Sequence, residues 1–231
     1  MTRLIVAGLL ALTFGIPAFH AADEDNPARE ALQALNEFVG SWKGAGSNSS
    51  KTENWIENFS WSWRFKGDDA WLLVEFKRGR EFSKGELRYL PEKKKYQLTA
   101  FDTKDNKEIF EGALKKNYLT LDRVDSRTGD TKRLTMNVAG GGVRFIYSMQ
   151  RKAKGTTIFS KLYQVDFNKE GESLAGGAKE KECVVTGGKG TIAVSYMGKT
   201  YYVCCSGCRD AFNENPAKIL KEYEERKKKE K

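Results

Sequence analysis

Histidine is all but absent from this sequence. Among 231 residues there is one, His20, and it falls in a segment that reads as a removable leader. A chain without imidazole has no Ser/His/Asp or Cys/His catalytic set and no His-ligated metal. Cysteine is equally uneven: all four lie between Cys183 and Cys208. Proline is scarce, 4 residues against 22 glycines, a ratio that favours many turns and few stiff linkers. Long apolar runs are missing as well. The stretch from Leu4 to Ile16 is the longest; it is too short to span a bilayer comfortably, and nothing later approaches it.

That apolar run follows Arg3 and precedes small residues, the order of a secretory signal. Cleavage after Ala21 or Ala22 makes residues 1–22 the leader and predicts an exported protein, periplasmic or secreted, with no stable membrane span afterwards; cleavage after Ala18 would leave His20 on the mature terminus, and an uncleaved segment would be an N-terminal anchor. No cysteine lies near the cleavage region, so no lipid anchor is expected. The formal charge is +9, spread along the chain and into a basic tail at residues 226–231. No basic face with a reading element stands out, so nucleic acid is not an expected partner and the charge reads as solvation. With 39% hydrophobic and 12% aromatic residues, the chain has enough apolar material for a folded core.

Asn26-Pro27 is a good helix opening, an N-cap followed by proline at the first helical position. Ala28, Ala31, Leu32, Leu35 and Phe38 recur at helical spacing, and Gly40 is read as the stop. A polar stretch follows to Thr52. From Trp55 to Phe167 the period becomes two. Phe59, Trp61, Trp63 and Phe65 alternate with polar residues, as do Val143, Phe145, Tyr147 and Met149. Further runs lie at 70–76, 85–90, 96–101, 109–114, 118–121 and 134–138, with turn residues between them. Eight to ten strands at this spacing, with no helical pattern between, predict a mainly β, antiparallel meander. Its apolar face is hidden by closing into a barrel or folding into a sandwich.

Residues 169–182 read as a linker by composition, and the chain divides there. The β-domain covers 23–168. A small cysteine-rich α+β module covers 183–225, a β-hairpin followed by two short helices broken at Asn215-Pro216. A module of this size needs a metal, disulfides or docking onto a neighbour to be stable.

The opening Leu35-x-x-Phe38-x-Gly40-x-Trp42, followed by the meander, resembles lipocalin-like barrels. It is more closely similar to a bacterial domain family of unknown function, whose closing strand fits residues 160–167. This resemblance implies a barrel, which in such folds often holds a small apolar ligand. The aromatic stripes fill the interior equally well as core. No paired carboxylates or activated nucleophile stand out, and no enzyme is expected.

The cysteine pattern is Cys183, twenty residues, Cys204-Cys205, two residues, Cys208. Cys208 sits one turn into a helix, where free N–H groups and the helix dipole favour a thiolate. Thiolates from a loop, a strand end and a helix start can converge on one soft cation. The segment Tyr196-Met197-Gly198-Lys199-Thr200-Tyr201-Tyr202-Val203-Cys204, then Cys208, Phe212 and Asn215-Pro216, resembles the TRASH/YHS metal-binding modules. The start Cys183-Val184-Val185-Thr186-Gly187 is similar to one variant of them. The resemblance implies Cys183, Cys204 and Cys208 as ligands for copper, zinc or another heavy metal. Cys205 is a fourth or exchange ligand whose side chain points oppositely if the strand continues through it. Two other readings share these residues. The cysteines of an exported module can pair as disulfides, leaving a small-ligand barrel with a stapled appendage. Alternatively, Cys205-Ser206-Gly207-Cys208 is a C-x-x-C at a helix start, the pattern of a thiol oxidoreductase.

Overall fold

The computed structural model describes residues 26–171 and 181–229. The expected leader at 1–22 and residues 172–180 of the expected linker lie outside the described residues. The protein is mainly β. Ten antiparallel strands close into a barrel, each paired with its sequence neighbours, and the first pairs with the tenth. In chain order they are β1 (Gly40–Asn48), β2 (Asn54–Lys66), β3 (Asp69–Arg78), β4 (Phe82–Leu90), β5 (Lys95–Asp102), β6 (Lys107–Lys115), β7 (Tyr118–Val124), β8 (Thr131–Ala139), β9 (Arg144–Lys152) and β10 (Ser160–Lys169). Closure leaves no sheet edge along the paired lengths, the usual solution for a meander with one apolar face.

Helix α1 (Pro27–Gln33) packs across one end of the barrel. The Asn26 side chain accepts from the N–H groups of Ala28 and Arg29, as the N-cap pattern predicts. The helix stops earlier than its apolar spacing suggests. The Tyr96 hydroxyl donates to the Ala31 carbonyl at 2.7 Å, and the Leu35 N–H turns to Leu32 instead. The chain then makes a 3-10 turn at Asn36–Phe38. Leu32, Leu35 and Phe38 are all buried nonetheless.

The stretch after Trp42, read above as polar, is strand β1. Its inward positions are Trp42, Gly44 and Gly46. A Cβ on Gly44 would lie 2.5 Å from the Phe167 ring, and one on Gly46 2.3 Å from the Trp55 indole. Large rings from neighbouring strands already fill those places, so the strand carries no apolar alternation to read.

Phe59, Trp61, Trp63, Phe145, Tyr147 and Phe167 face inward and are buried. Phe59 meets Phe145 and Phe167 edge-on, with ring centroids 5.2 and 4.5 Å apart. The space left beside Trp61, Phe76, Met136 and Tyr147 is about 20 Å³, room for about one water molecule. The aromatic stripes are core.

One inward position on β2 is charged. Glu57 is fully buried and accepts from the Tyr147 hydroxyl at 2.6 Å, the Trp55 indole N–H at 2.7 Å and the Arg80 backbone N–H at 3.2 Å. Burial raises its carboxyl above the usual value of 4.5, against the pull of those donors. Folded protein therefore holds this proton more tightly than the unfolded chain does. Its contribution to stability falls as pH rises from about 4.5 and levels off once Glu57 is ionised in the fold. Urea unfolding between pH 4.5 and 8 is expected to show this decline in wild type relative to Glu57→Gln. Parallel profiles for the two proteins would refute it.

The C-terminal part contains a hairpin, β11 (Ile192–Tyr196) and β12 (Lys199–Val203), then α2 (Ser206–Glu214) and α3 (Pro216–Lys229). Met197-Gly198 forms the hairpin turn with both φ angles positive, as a two-residue type I′ connection requires. Met197 is 84% exposed. Helix α3 runs through the residues read as a separate basic tail as far as Lys229. Arg226 is an anchor and not a solvated charge: its guanidinium donates to the carbonyls of Cys183 and Val184 and pairs with Glu182. Among the described residues, no helix is long and apolar enough to cross a membrane.

The module does not stand apart. Strand β1 begins opposite Trp61, so residues 62–66 of β2 extend past it. Helix α2 packs on β2 there, covering the exposed length of backbone. Val184, Val185, Val203 and Phe212 join the same buried cluster as the barrel core. Arg29 of α1 reaches across to the Val185 carbonyl at 2.9 Å and to Glu222 of α3 at 3.5 Å.

Candidate metal centre

Four elements of local structure bring the cysteines together. A tight turn follows Cys183: its N–H bonds the Gly188 carbonyl, and its own carbonyl accepts from Gly187. Gly187 has φ +76°, which glycine adopts freely. The Val184 N–H then bonds the Tyr202 carbonyl at 3.0 Å, and the Thr191 N–H bonds the Val203 carbonyl at 2.9 Å. These two bonds lay the Cys183 turn against the end of β12, where Cys204 emerges. Cys205 occupies the N-cap position of α2 with extended backbone, and Cys208 is the third helical residue. A separation of twenty residues in sequence is thus closed by the hairpin.

The sulfurs of Cys183, Cys204 and Cys208 all lie within 4.8 Å of one another. Cys204 and Cys208 are 3.4 Å apart, sulfur to sulfur. Cys183 and Cys208 are fully buried, and Cys204 is half-buried. All four thiols are free. Cys205 lies outside that group of three. Its sulfur is turned toward the barrel and accepts from the Trp63 backbone N–H at 3.3 Å. The chain leaves the strand after Val203, so strict alternation does not set its direction. The Thr186 hydroxyl lies 3.5 Å from the Cys204 sulfur; in the sequence Thr186 is only part of the motif after Cys183, and nothing in its spacing marks it as a neighbour of the sulfurs.

Proton sharing dominates the electrostatics. The thiols of Cys204 and Cys208 donate to Cys183 and to Cys205, holding both of these well below the ordinary thiol value. Cys204 is pushed up by the hydrogen bond it donates to Cys183. Burial and the same neighbours push Cys208 up. Sulfurs this close cannot all ionise unless a cation lies among them. The N–H groups at the start of α2 add positive potential on one side.

Cys204 and Cys205 line the floor of a cleft of about 700 Å³ between barrel and module, walled by residues such as Asn36, Ser62, Lys169 and Gly188.

No family model matches this chain. No curated protein matches it either. Among solved structures, the crystal structure of Rv2717c from M. tuberculosis is similar over 61% of this chain and 97% of that one, at 16% identity and a TM-score of 0.38.

Proposed function

We propose that this is an exported binding protein, not an enzyme, that captures or buffers a thiophilic metal ion. Cys183, Cys204 and Cys208 are the ligands, and Cys205 is an adjacent sulfur available for exchange. The observation that carries the reading is the convergence of three sulfurs within 4.8 Å, two of them fully buried. Nothing in the hydrophobic core requires three thiols to meet. A soft cation explains their closeness, and its binding would displace the protons they otherwise share. Cu(I), zinc and other heavy metals suit an all-thiolate set. The apolar space beside Trp61, Phe76, Met136 and Tyr147, about 20 Å³, is too small for an organic ligand, so that place does not favour the small-ligand reading.

The test is metal and thiol analysis of full-length mature protein purified without oxygen. After exposure to Cu(I), Zn(II) or Cd(II) and removal of excess, one tightly held ion per chain is expected, with four thiols recovered once the ion is stripped. Two disulfides and no retained ion would overturn the proposal. Efficient insulin reduction would point instead to thiol exchange through Cys205 and Cys208.

A further inference from the structure

We infer that the barrel forms a working wall of the sulfur centre, with Trp63 and Asn36 as its positioning residues. The inference rests on the metal-binding reading above and says how the two parts of the chain cooperate in it.

Trp63 holds both halves of the sulfur set. Its backbone N–H lies on the length of β2 that extends past β1 and donates to the Cys205 sulfur at 3.3 Å. Its indole N–H donates to the Asn36 side-chain oxygen at 3.1 Å. The other end of the Asn36 amide donates to the Thr186 carbonyl at 2.9 Å. Thr186 lies in the turn that carries Cys183, and its hydroxyl is 3.5 Å from the Cys204 sulfur. One barrel residue is therefore bonded directly to the Cys204-Cys205 step and, through one amide, to the Cys183 turn.

The orientation of Asn36 is fixed by its partners. The indole can only donate and the Thr186 carbonyl can only accept, so a flipped amide would lose both bonds. The turn also packs closely there. A Cβ on Gly188 would lie 3.0 Å from the Asn36 side chain. The hairpin that links the two ligand-bearing segments is a two-stranded ribbon, which by itself is marginally stable in water. Metal sites need their ligands held to about half an ångström, and the barrel supplies that rigidity. It follows that ion binding and docking of the module are linked. The ion binds tightest when the module is seated on β2, and its binding alters the surroundings of the Trp63 indole.

The test uses full-length protein, anaerobic, with Cd(II) as the probe. Retention is read against a competing chelator by thiolate-to-cadmium absorption, together with tryptophan emission. Asn36→Ala and Trp63→Phe are each expected to weaken Cd(II) retention by about 10-fold, within the range that removing outer-shell partners produces. The double variant is expected to be no weaker than the weaker single one, because both break the same chain of bonds. Wild-type emission is expected to change as Cd(II) binds, and that change is lost in Trp63→Phe. Asn36→Asp keeps an acceptor for the indole and replaces the donor to Thr186 with a carboxylate oxygen that its carbonyl repels. It is expected to show the same loss if Asn36→Ala does not fold. Wild-type affinity in the variants, with the emission change intact in Trp63→Phe, overturns the inference and leaves the metal reading standing. Failure of wild type to take up Cd(II), Cu(I) or Zn(II) overturns both.

Discussion

Cys208→Ser is expected to lower metal retention by at least about 100-fold, because removing a ligand should cost no less than removing the outer-shell partners that orient one. Cys208 is fully buried and its sulfur is 3.4 Å from that of Cys204, so bulk solvent does not reach its position to supply a substitute ligand. Serine places a hydroxyl where a soft cation requires sulfur. Cys205→Ser is the matched comparison. Its sulfur lies outside the group of three and accepts from the Trp63 N–H as well as from the neighbouring thiols, so retention should fall about 10-fold or less. Chelator competition on both variants, with circular dichroism to confirm the fold, measures the contrast. Equal losses would mean that all four sulfurs are ligands. No loss in either would remove the site.

Gly207→Ala is expected to destabilise the C-terminal module by about 3 kcal/mol, the upper part of the range for forcing atoms into a packed contact. Gly207 is the second residue of α2, and a Cβ there would lie 1.8 Å from the Trp63 carbonyl oxygen. That atom is backbone in a paired strand and cannot move aside, so the helix must lift from β2. The sign makes the result decisive. In a helix not seated on the barrel, the same change would be stabilising by about 1 kcal/mol, the difference in helix propensity between glycine and alanine. Hydrogen exchange at α2 and the hairpin should rise in the variant while the barrel strands stay protected. Metal retention should fall with it, since Cys208 is the next residue. Unchanged or increased protection of α2 would show that the helix does not rest on Trp63.

Some of this was legible along the chain and some was not. Strands with large inward side chains announced themselves by alternation, as in β2 and β9. Strand β1 did not, because its inward places at Gly44 and Gly46 belong to rings from β10 and β2. The length of α1 was overestimated because the Tyr96 hydroxyl, 65 residues away, takes the carbonyl the helix would have used. Arg226 looked like one more charge in a basic tail, and its carbonyl partners in the Cys183 turn are 42 and 43 residues distant. Cys205 points away from the group of three as alternation would have it, but the strand ends at Val203 and the helix start with the Trp63 N–H sets that direction instead.

The sequence by itself determined that the chain makes an antiparallel meander, that its sulfur is confined to a short C-terminal segment, and that imidazole is missing from any site there. Those are properties of order and spacing, and local periodicity and residue count express them directly. Only the tertiary structure decided that the meander closes on itself, that its inward aromatic rings pack on one another, that three particular sulfurs meet while the fourth lies beside them and also bonds Trp63, and that the module is seated on an overhanging length of β2. Each depends on groups far apart in the chain competing for the same space or the same hydrogen bond, and such competition leaves no periodic trace in the order of the residues.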